Sequence, residues 1–225
     1  MFVFGAEDRL RHVAAGEGAG VLPAANEGSV RDALSARVLA RFSVGVACAY
    51  HEFWVPRSHE RVDLAVVGAR MHGFEIKTER DTLRRLPRQA SAYARVMDRC
   101  TLVLAEKHLE HAEELLPDWW GISTVACNGH IVFKSVRAPR TNPAVDAETL
   151  VRLLWREEAF AALQRLGADL PATTHRGPLW RELLERCTLA QLRSAVRRAL
   201  LHRHTERASA RANGCARAHT AAARR

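Results

Sequence analysis

The sequence predicts an α/β protein in which a mixed central sheet is flanked by helices and followed by an appended C-terminal helical module. Three observations point there. Short segments with the period of two expected of strands recur between residues 43 and 136, separated by stretches of helical spacing. From Asp146 onward only helical spacing remains. The chain has 225 residues, 48% of them hydrophobic, enough to bury one good-sized core.

Residues 1–25 carry several Ala and Gly and no sustained apolar period, and read as a mobile arm. A helix is expected from Ser29, a possible cap, with Val30, Ala33, Leu34, Val38 and Phe42 at helical spacing. Ser43 to Tyr50 suits a strand or a helix end, and His51 to Pro56 reads as a strand stopped by proline. Next, Val62, Leu64 and Val66 alternate with Asp63, Ala65 and Val67, and Phe74 and Ile76 alternate with Glu75 and Lys77. Gly68 to Gly73 supplies the turn. In an antiparallel hairpin directly opposed residues share a face, so Asp63 joins Glu75 and Lys77 only if the loop holds an odd number of residues.

Pro87 suits the first turn of a helix carrying Gln89, Tyr93 and Met97 on one stripe. Thr101–Ala105 reads as a buried strand and 107–116 as a helix, while 122–126 and 130–136 flank Asn128-Gly129, a strong hairpin signal. The helical end reads as one helix from Leu150 to Leu166 closed by Gly167, a second around Leu179–Arg186, and a third from Leu189 to about Arg203. Thr188 and Gln191 form a capping box for the third, with Leu192, Val196 and Leu200 as its buried stripe. The domain reading is an arm at 1–25, a core at 26–140, a helical module at 141–205 and a disordered basic tail at 206–225.

Composition narrows the function. No apolar run approaches a membrane span, and the first residues lack the basic start of a secretory signal, so a cytoplasmic protein without membrane partners is expected. Five scattered cysteines argue against structural zinc or a disulfide frame. Cys48, Cys100 and Cys127 are expected as buried thiols and Cys215 as exposed. His51, His59 and His72 show no metal-ligand spacing.

The chemistry-bearing stretch is Arg61 to Tyr93. Two carboxylates and an ammonium on one patch of sheet are costly to bury unpaired, and a cation resolves the conflict. Mg²⁺ or Mn²⁺ takes hard oxygen ligands, so Asp63, Glu75 and the Ile76 carbonyl make a plausible partial shell, with Lys77 positioning a water or neutralising charge on a phosphate. Glu-x-Lys alone is a weak signal that a surface ion pair also explains. Its conjunction with an acid on the preceding strand and a Gln-x-x-x-Tyr helix strengthens it.

These residues, with the Arg61–Val67 run, the Gly73–Lys77 core, the Asp81–Gln89 flank and Pro117–Gly121, resemble a bacterial family known by a locus tag and placed in the PD-(D/E)xK nuclease superfamily. The resemblance covers about Glu27 to Arg203. It implies a restriction-endonuclease-like sheet and metal-dependent hydrolysis of phosphodiester bonds with Asp63, Glu75 and Lys77 catalytic, and no substrate. It also implies an acid on the first helix, for which Glu27 is the candidate, although a helix-entry Glu on the macrodipole fits equally. Glu52 is a further acid, or a solvent-side residue alternating with Phe53. Gln89 and Tyr93 resemble the RecB-like pair that touches nucleic acid, with Tyr93 packing on the sheet as the alternative. Trp119-Trp120 falls at a strand entrance, where packing is the safer role.

Basicity is local. From Arg181 to the end there are 11 Arg and 3 Glu, so this stretch holds +8 of the chain's +9. It reads as a phosphate-backbone binder with Arg193 and Arg197 on a stripe other than the buried one, or else as a solvated helix face with a disordered tail. The expected function is a Mg²⁺-dependent deoxyribonuclease; the alternatives are a non-cleaving nucleic-acid-binding protein on the same fold and a structural domain with a fortuitous acid patch.

Overall fold

The computed structural model describes residues 26–43, 45–127 and 130–222. The expected arm at 1–25 and the Asn128-Gly129 turn lie outside them. Six strands form one sheet in sequence order: β1 (Cys48–Trp54), β2 (Arg61–Val67), β3 (Met71–Lys77), β4 (Arg99–Ala105), β5 (Gly121–Cys127) and β6 (Ile131–Arg137). The β3–β4 and β4–β5 pairs are parallel and the rest antiparallel, so the sheet is mixed. Parallel neighbours need a crossover. The first contains α2 (Leu86–Ala94), and the second a 3-10 turn at 106–108 and α3 (Leu109–Leu115).

The two faces of the sheet are covered differently. On one, α1 (Glu27–Leu39) lays Val30 and Leu34 against Leu64, Val66, Phe74, Ile76 and Val103. Its cap is Asn26, whose side chain accepts the Ser29 N–H at 2.8 Å, so the helix starts two residues before the expected Ser29. The other face carries the main core, built from Val62, Ala65, Val67, Leu102 and Leu104 together with Tyr93 of α2.

The C-terminal helices are α4 (Ala147–Val151), α5 (Arg156–Arg165), α6 (Arg176–Arg186) and α7 (Leu189–Ala222). Two expectations change here. The single helix expected over 150–166 is broken in two, and α5 restarts where the Trp155 N–H donates to the Glu158 carboxylate at 2.7 Å. The appended helices pack onto the sheet, as Leu150, Leu163, Leu179, Leu192 and Val196 fill the same continuous core as the strand residues. Finally, α7 does not end near Arg203 but runs on through the Ala-rich stretch, as the high helix propensity of Ala and Arg favours. The capping box at Thr188 is present, with reciprocal bonds to Gln191. Cys48 and Cys100 are buried, whereas Cys127, expected inside, is exposed.

Asp98, just before β4, locks α7 to the sheet. Its buried carboxylate accepts the Met71 N–H at 2.8 Å and faces Arg193 at 3.1 Å and Arg197 at 3.8 Å. Arg193 and Arg197, expected as phosphate contacts, are half-buried and turned toward Asp98. No sequence pattern links residues so far apart in the chain. Replacing Asp98 with Ala would strand both guanidinium groups and the Met71 N–H, and is expected to cost about 3–5 kcal/mol, read as a lowered urea midpoint.

Candidate metal centre

The turn joining β2 and β3 holds three residues, 68–70, and the register pairs Leu64 with Phe74 and Val67 with Met71. The loop is odd, as a shared face requires. The ladder nevertheless stops at Leu64 and Phe74, one step short of Asp63 and Glu75. There the strands part, and Asp63 Oδ2 accepts the Ile76 N–H at 2.7 Å in place of a strand carbonyl.

On the other side of β2, the register of β1 pairs His51 with Leu64 and Phe53 with Val62, which sets Glu52 level with Asp63. Glu52 has φ 51°, a left-handed conformation uncommon for a non-glycine residue and costly to hold. Its consequence shows in the packing: Phe53 and Val62 enter the same core as Ala65 and Val67, whereas strict alternation would send them to the opposite face. The pleat reverses at Glu52 and Asp63. Both carboxylates are thereby brought to Glu27 at the start of α1, and one oxygen from each of Glu27, Glu52 and Asp63 lies within 4.8 Å of the others.

Arg31, one helical turn after Glu27, completes the cluster. It pairs with Glu27 and places Nη1 2.9 Å from Glu52 Oε1, so one guanidinium bridges two of the three carboxylates and offsets one of their charges. The sequence reading missed it, although Glu27-x-x-x-Arg31 has the i,i+4 spacing of a helical ion pair.

Glu75 and Lys77 are both buried, and they pair with each other. The second Glu75 oxygen lies 2.5 Å from the Tyr93 hydroxyl, which is also 2.5 Å from the Arg61 carbonyl; its single proton serves one acceptor at a time. Glu75, expected as the second metal ligand, thus has both oxygens engaged and is not part of the three-acid cluster. Gln89 and Tyr93 are buried as well and cannot reach a strand of nucleic acid from this position. The stripe of Leu86, Ala90 and Tyr93 packs on the sheet, and Tyr93 stacks on buried Trp120 with ring centroids 5.9 Å apart. Burial, then the charge and hydrogen bond of Glu75, drive the Tyr93 pKa far upward, so the hydroxyl keeps its proton.

Asp63 is half-buried, and desolvation followed by the Glu75 charge raises its carboxyl to about 8, against the pull of the Ile76 N–H and of Lys77. The unfolded chain releases this proton near 3.8. Between the two values the folded state binds more protons than the unfolded one, so stability falls as pH rises through this window and levels off above it. Thermal melts in a chelating buffer are expected to show that decline from about pH 4 to about pH 8, and Asp63→Asn is expected to flatten it.

The donor set is chemically selective. Three carboxylates with neither His nor Cys suit Mg²⁺ or Mn²⁺ rather than zinc. Around an octahedral Mg²⁺ neighbouring ligand oxygens lie roughly 3 Å apart and opposite ones roughly 4.2 Å, the same order as the 4.8 Å within which these three oxygens fall. A groove of about 260 Å³, lined in part by Glu27, Val30, Thr78 and Arg80, opens beside the cluster.

Comparisons with known proteins add the following. No curated protein matches this chain. Among solved structures, a protein of unknown function from Silicibacter pomeroyi is similar at 23% identity over 59% of this chain and 86% of that one, with a TM-score of 0.36, too slight a likeness to carry an argument. A family model described as "Bacteriophage P4 protein cII" matches residues 27–222. That span runs from the first residue of α1 to the last of α7, taking in every strand and every member of the acidic cluster. The chain belongs to the bacteriophage P4 protein cII family.

Proposed function

We propose that this protein is a divalent-metal-dependent nuclease of the PD-(D/E)xK type, acting on DNA in the cytoplasm. The observation that carries the reading is the convergence of Glu27, Glu52 and Asp63 from three separate elements, held at a left-handed Glu52 that backbone energetics disfavour. Glu27, Glu52 and Asp63 would hold Mg²⁺ or Mn²⁺, which would supply Lewis-acid stabilisation of charge developing on phosphodiester oxygens. Arg31 keeps Glu27 and Glu52 close together against their mutual repulsion. Lys77 provides the positive charge that orients the attacking water and offsets the developing negative charge, while Glu75 and Tyr93 fix its position.

One observation favours the second reading, a nucleic-acid-binding protein that does not cleave: Lys77 is buried against Glu75 and must exchange that partner to act. Incubation with labelled linear, circular and single-stranded DNA, with Mg²⁺, Mn²⁺ or EDTA, separates the two. The nuclease reading expects cleavage that EDTA and Asp63→Asn both abolish. Binding without any metal-dependent cleavage would replace it with the second reading.

A further inference from the structure

The end of α1 remote from Glu27 covers a basic part of the sheet. Val66 of β2 is directly opposed to His72 of β3, and His72 to Arg99 of β4, so the three side chains stand in a row on one face. That face is the one under α1, because His72 stacks on Phe74 with ring centroids 4.1 Å apart. Val38 from the last turn of α1, Phe42 just beyond it and Arg70 from the turn between β2 and β3 join the row around a cavity of about 390 Å³. With 13 residues rising about 1.5 Å each, α1 sets this cavity roughly 20 Å from the acidic cluster at its other end.

Two guanidinium groups share the cavity, and among the described residues no carboxylate lines it. Among those residues neither Arg70 nor Arg99 has an ion-pair partner. Asp98, next to Arg99 in the chain, faces the other side of the sheet and is held there by Arg193 and Arg197. Arg99 Nε is buried and meets no hydrogen-bond acceptor among the described residues. Burial, then the charge of Arg70, pulls the Arg99 pKa down, yet a guanidinium keeps its proton in a protein, so titration does not relieve the repulsion. His72 adds no charge: burial and then Arg99 hold its pKa down at about 3, and its Nε2 meets Thr101 Oγ1 at 2.8 Å. Two like charges converging with a buried, unsatisfied N–H are costly unless an anion meets them.

We propose that this cavity binds a nucleotide through a phosphomonoester, with the phosphate between Arg70 and Arg99 and the base against Phe42. A phosphomonoester carries about −1.5 to −2 charges at pH 7 and three strong acceptor oxygens, which matches two guanidinium groups; a phosphodiester, at about −1, leaves one uncompensated. The volume falls within the roughly 300–1,000 Å³ of small-molecule pockets and exceeds what a bare ion fills. Phe42 is 38% exposed and supplies an aromatic face of the kind on which bases stack. The phosphomonoester belongs either to a free mononucleotide or to the 5′ end of a strand, which present the same chemistry. The site is separate from the acidic cluster and does not rest on the nuclease reading.

The test is calorimetric titration of the full chain at about pH 7.5, where the monoester is largely dianionic, in EDTA so that no metal at the acidic cluster holds phosphate. The probes are adenosine 5′-monophosphate, adenosine, inorganic phosphate, and oligothymidylates with a 5′-phosphate or a 5′-hydroxyl. One molecule per chain of the monophosphate or of the phosphorylated strand is expected to bind, and the tighter of the two identifies the source. Affinity is expected to fall at least tenfold in Arg70→Gln and in Arg99→Gln, and to be unchanged in Arg84→Gln, an exposed arginine outside the cavity. Arg70 is exposed in a turn, so Arg70→Gln is expected to melt with the wild-type chain and to report binding alone. Phe42→Ala is expected to weaken nucleotide binding roughly five- to a hundredfold and to leave inorganic phosphate as it was. Absence of binding by both phosphomonoesters, or binding that Arg70→Gln and Arg99→Gln leave intact, would overturn the site. Equal affinity for phosphorylated and hydroxyl strands would overturn the monoester assignment, and binding of inorganic phosphate alone, or no effect of Phe42→Ala, would overturn the nucleotide assignment. Metal-dependent cleavage, assayed separately, stands or falls independently of these results.

Discussion

Lys77→Ala is expected to be damaging in two separable ways. The substitution leaves the buried Glu75 carboxylate with only the Tyr93 hydroxyl, and an uncompensated buried charge costs about 3–5 kcal/mol. The double variant Glu75→Gln/Lys77→Met removes both charges and is expected to recover most of that loss, measured as urea midpoint at constant slope. Cleavage is expected to fall at least a hundredfold in both variants, because neither carries the ammonium. A double variant as unstable as the single one would contradict the pairing. A stable double variant with full activity would remove Lys77 from the chemistry.

For Asp63→Asn the two effects have opposite signs. Asn still accepts the Ile76 N–H, so the split between β2 and β3 keeps its bridge, while the negative charge crowded against Glu75 and Glu27 disappears. The variant is expected to melt several degrees above the wild-type chain at pH 8 in chelating buffer, where the wild-type carboxyl is about half ionised. Cleavage is expected to be abolished, since an amide is a poor ligand for a hard cation. Greater stability with lost activity marks a residue placed for function at the expense of the fold. Differential scanning fluorimetry alongside a cleavage assay reads both; a lower melting temperature at pH 8 would mean that burial of the charge is not what Asp63 suffers.

Much of this arrangement is legible from the chain alone, and the parts that are not share a physical cause. The period of two in β2 and β3 follows from side-chain geometry, and the loop of 68–70 has the odd length that the reading of Asp63, Glu75 and Lys77 demands. The mixed sheet follows from the alternation of strand-like and helix-like stretches. Glu52 announces nothing of its left-handed backbone, because nothing in its local sequence, such as a Gly or Asn, marks the position. Parity arguments assume an unbroken pleat, and the reversal at Glu52 and Asp63 is what moves the acids toward Glu27 and leaves Glu75 behind with Lys77 and Tyr93. Helical spacing places Gln89 and Tyr93 on one face of α2 without saying whether that face meets substrate or core. The pairing of Arg193 and Arg197 with Asp98 was not legible for a related reason: Asp98 is distant in sequence and adjacent only in the fold. Among the described residues no helix is long and apolar enough to cross a membrane, in line with the hydropathy of the sequence.

The central claim is that Glu27, Glu52 and Asp63 together hold a divalent cation, and calorimetric titration of the metal-free chain with Mn²⁺ tests it most directly. One ion per chain is expected, with affinity reduced at least tenfold in each of Glu27→Gln, Glu52→Gln and Asp63→Asn, and unchanged in Glu114→Gln, an exposed acid outside the cluster. Absence of binding to the wild-type chain, or binding that survives Asp63→Asn undiminished, would contradict the assignment.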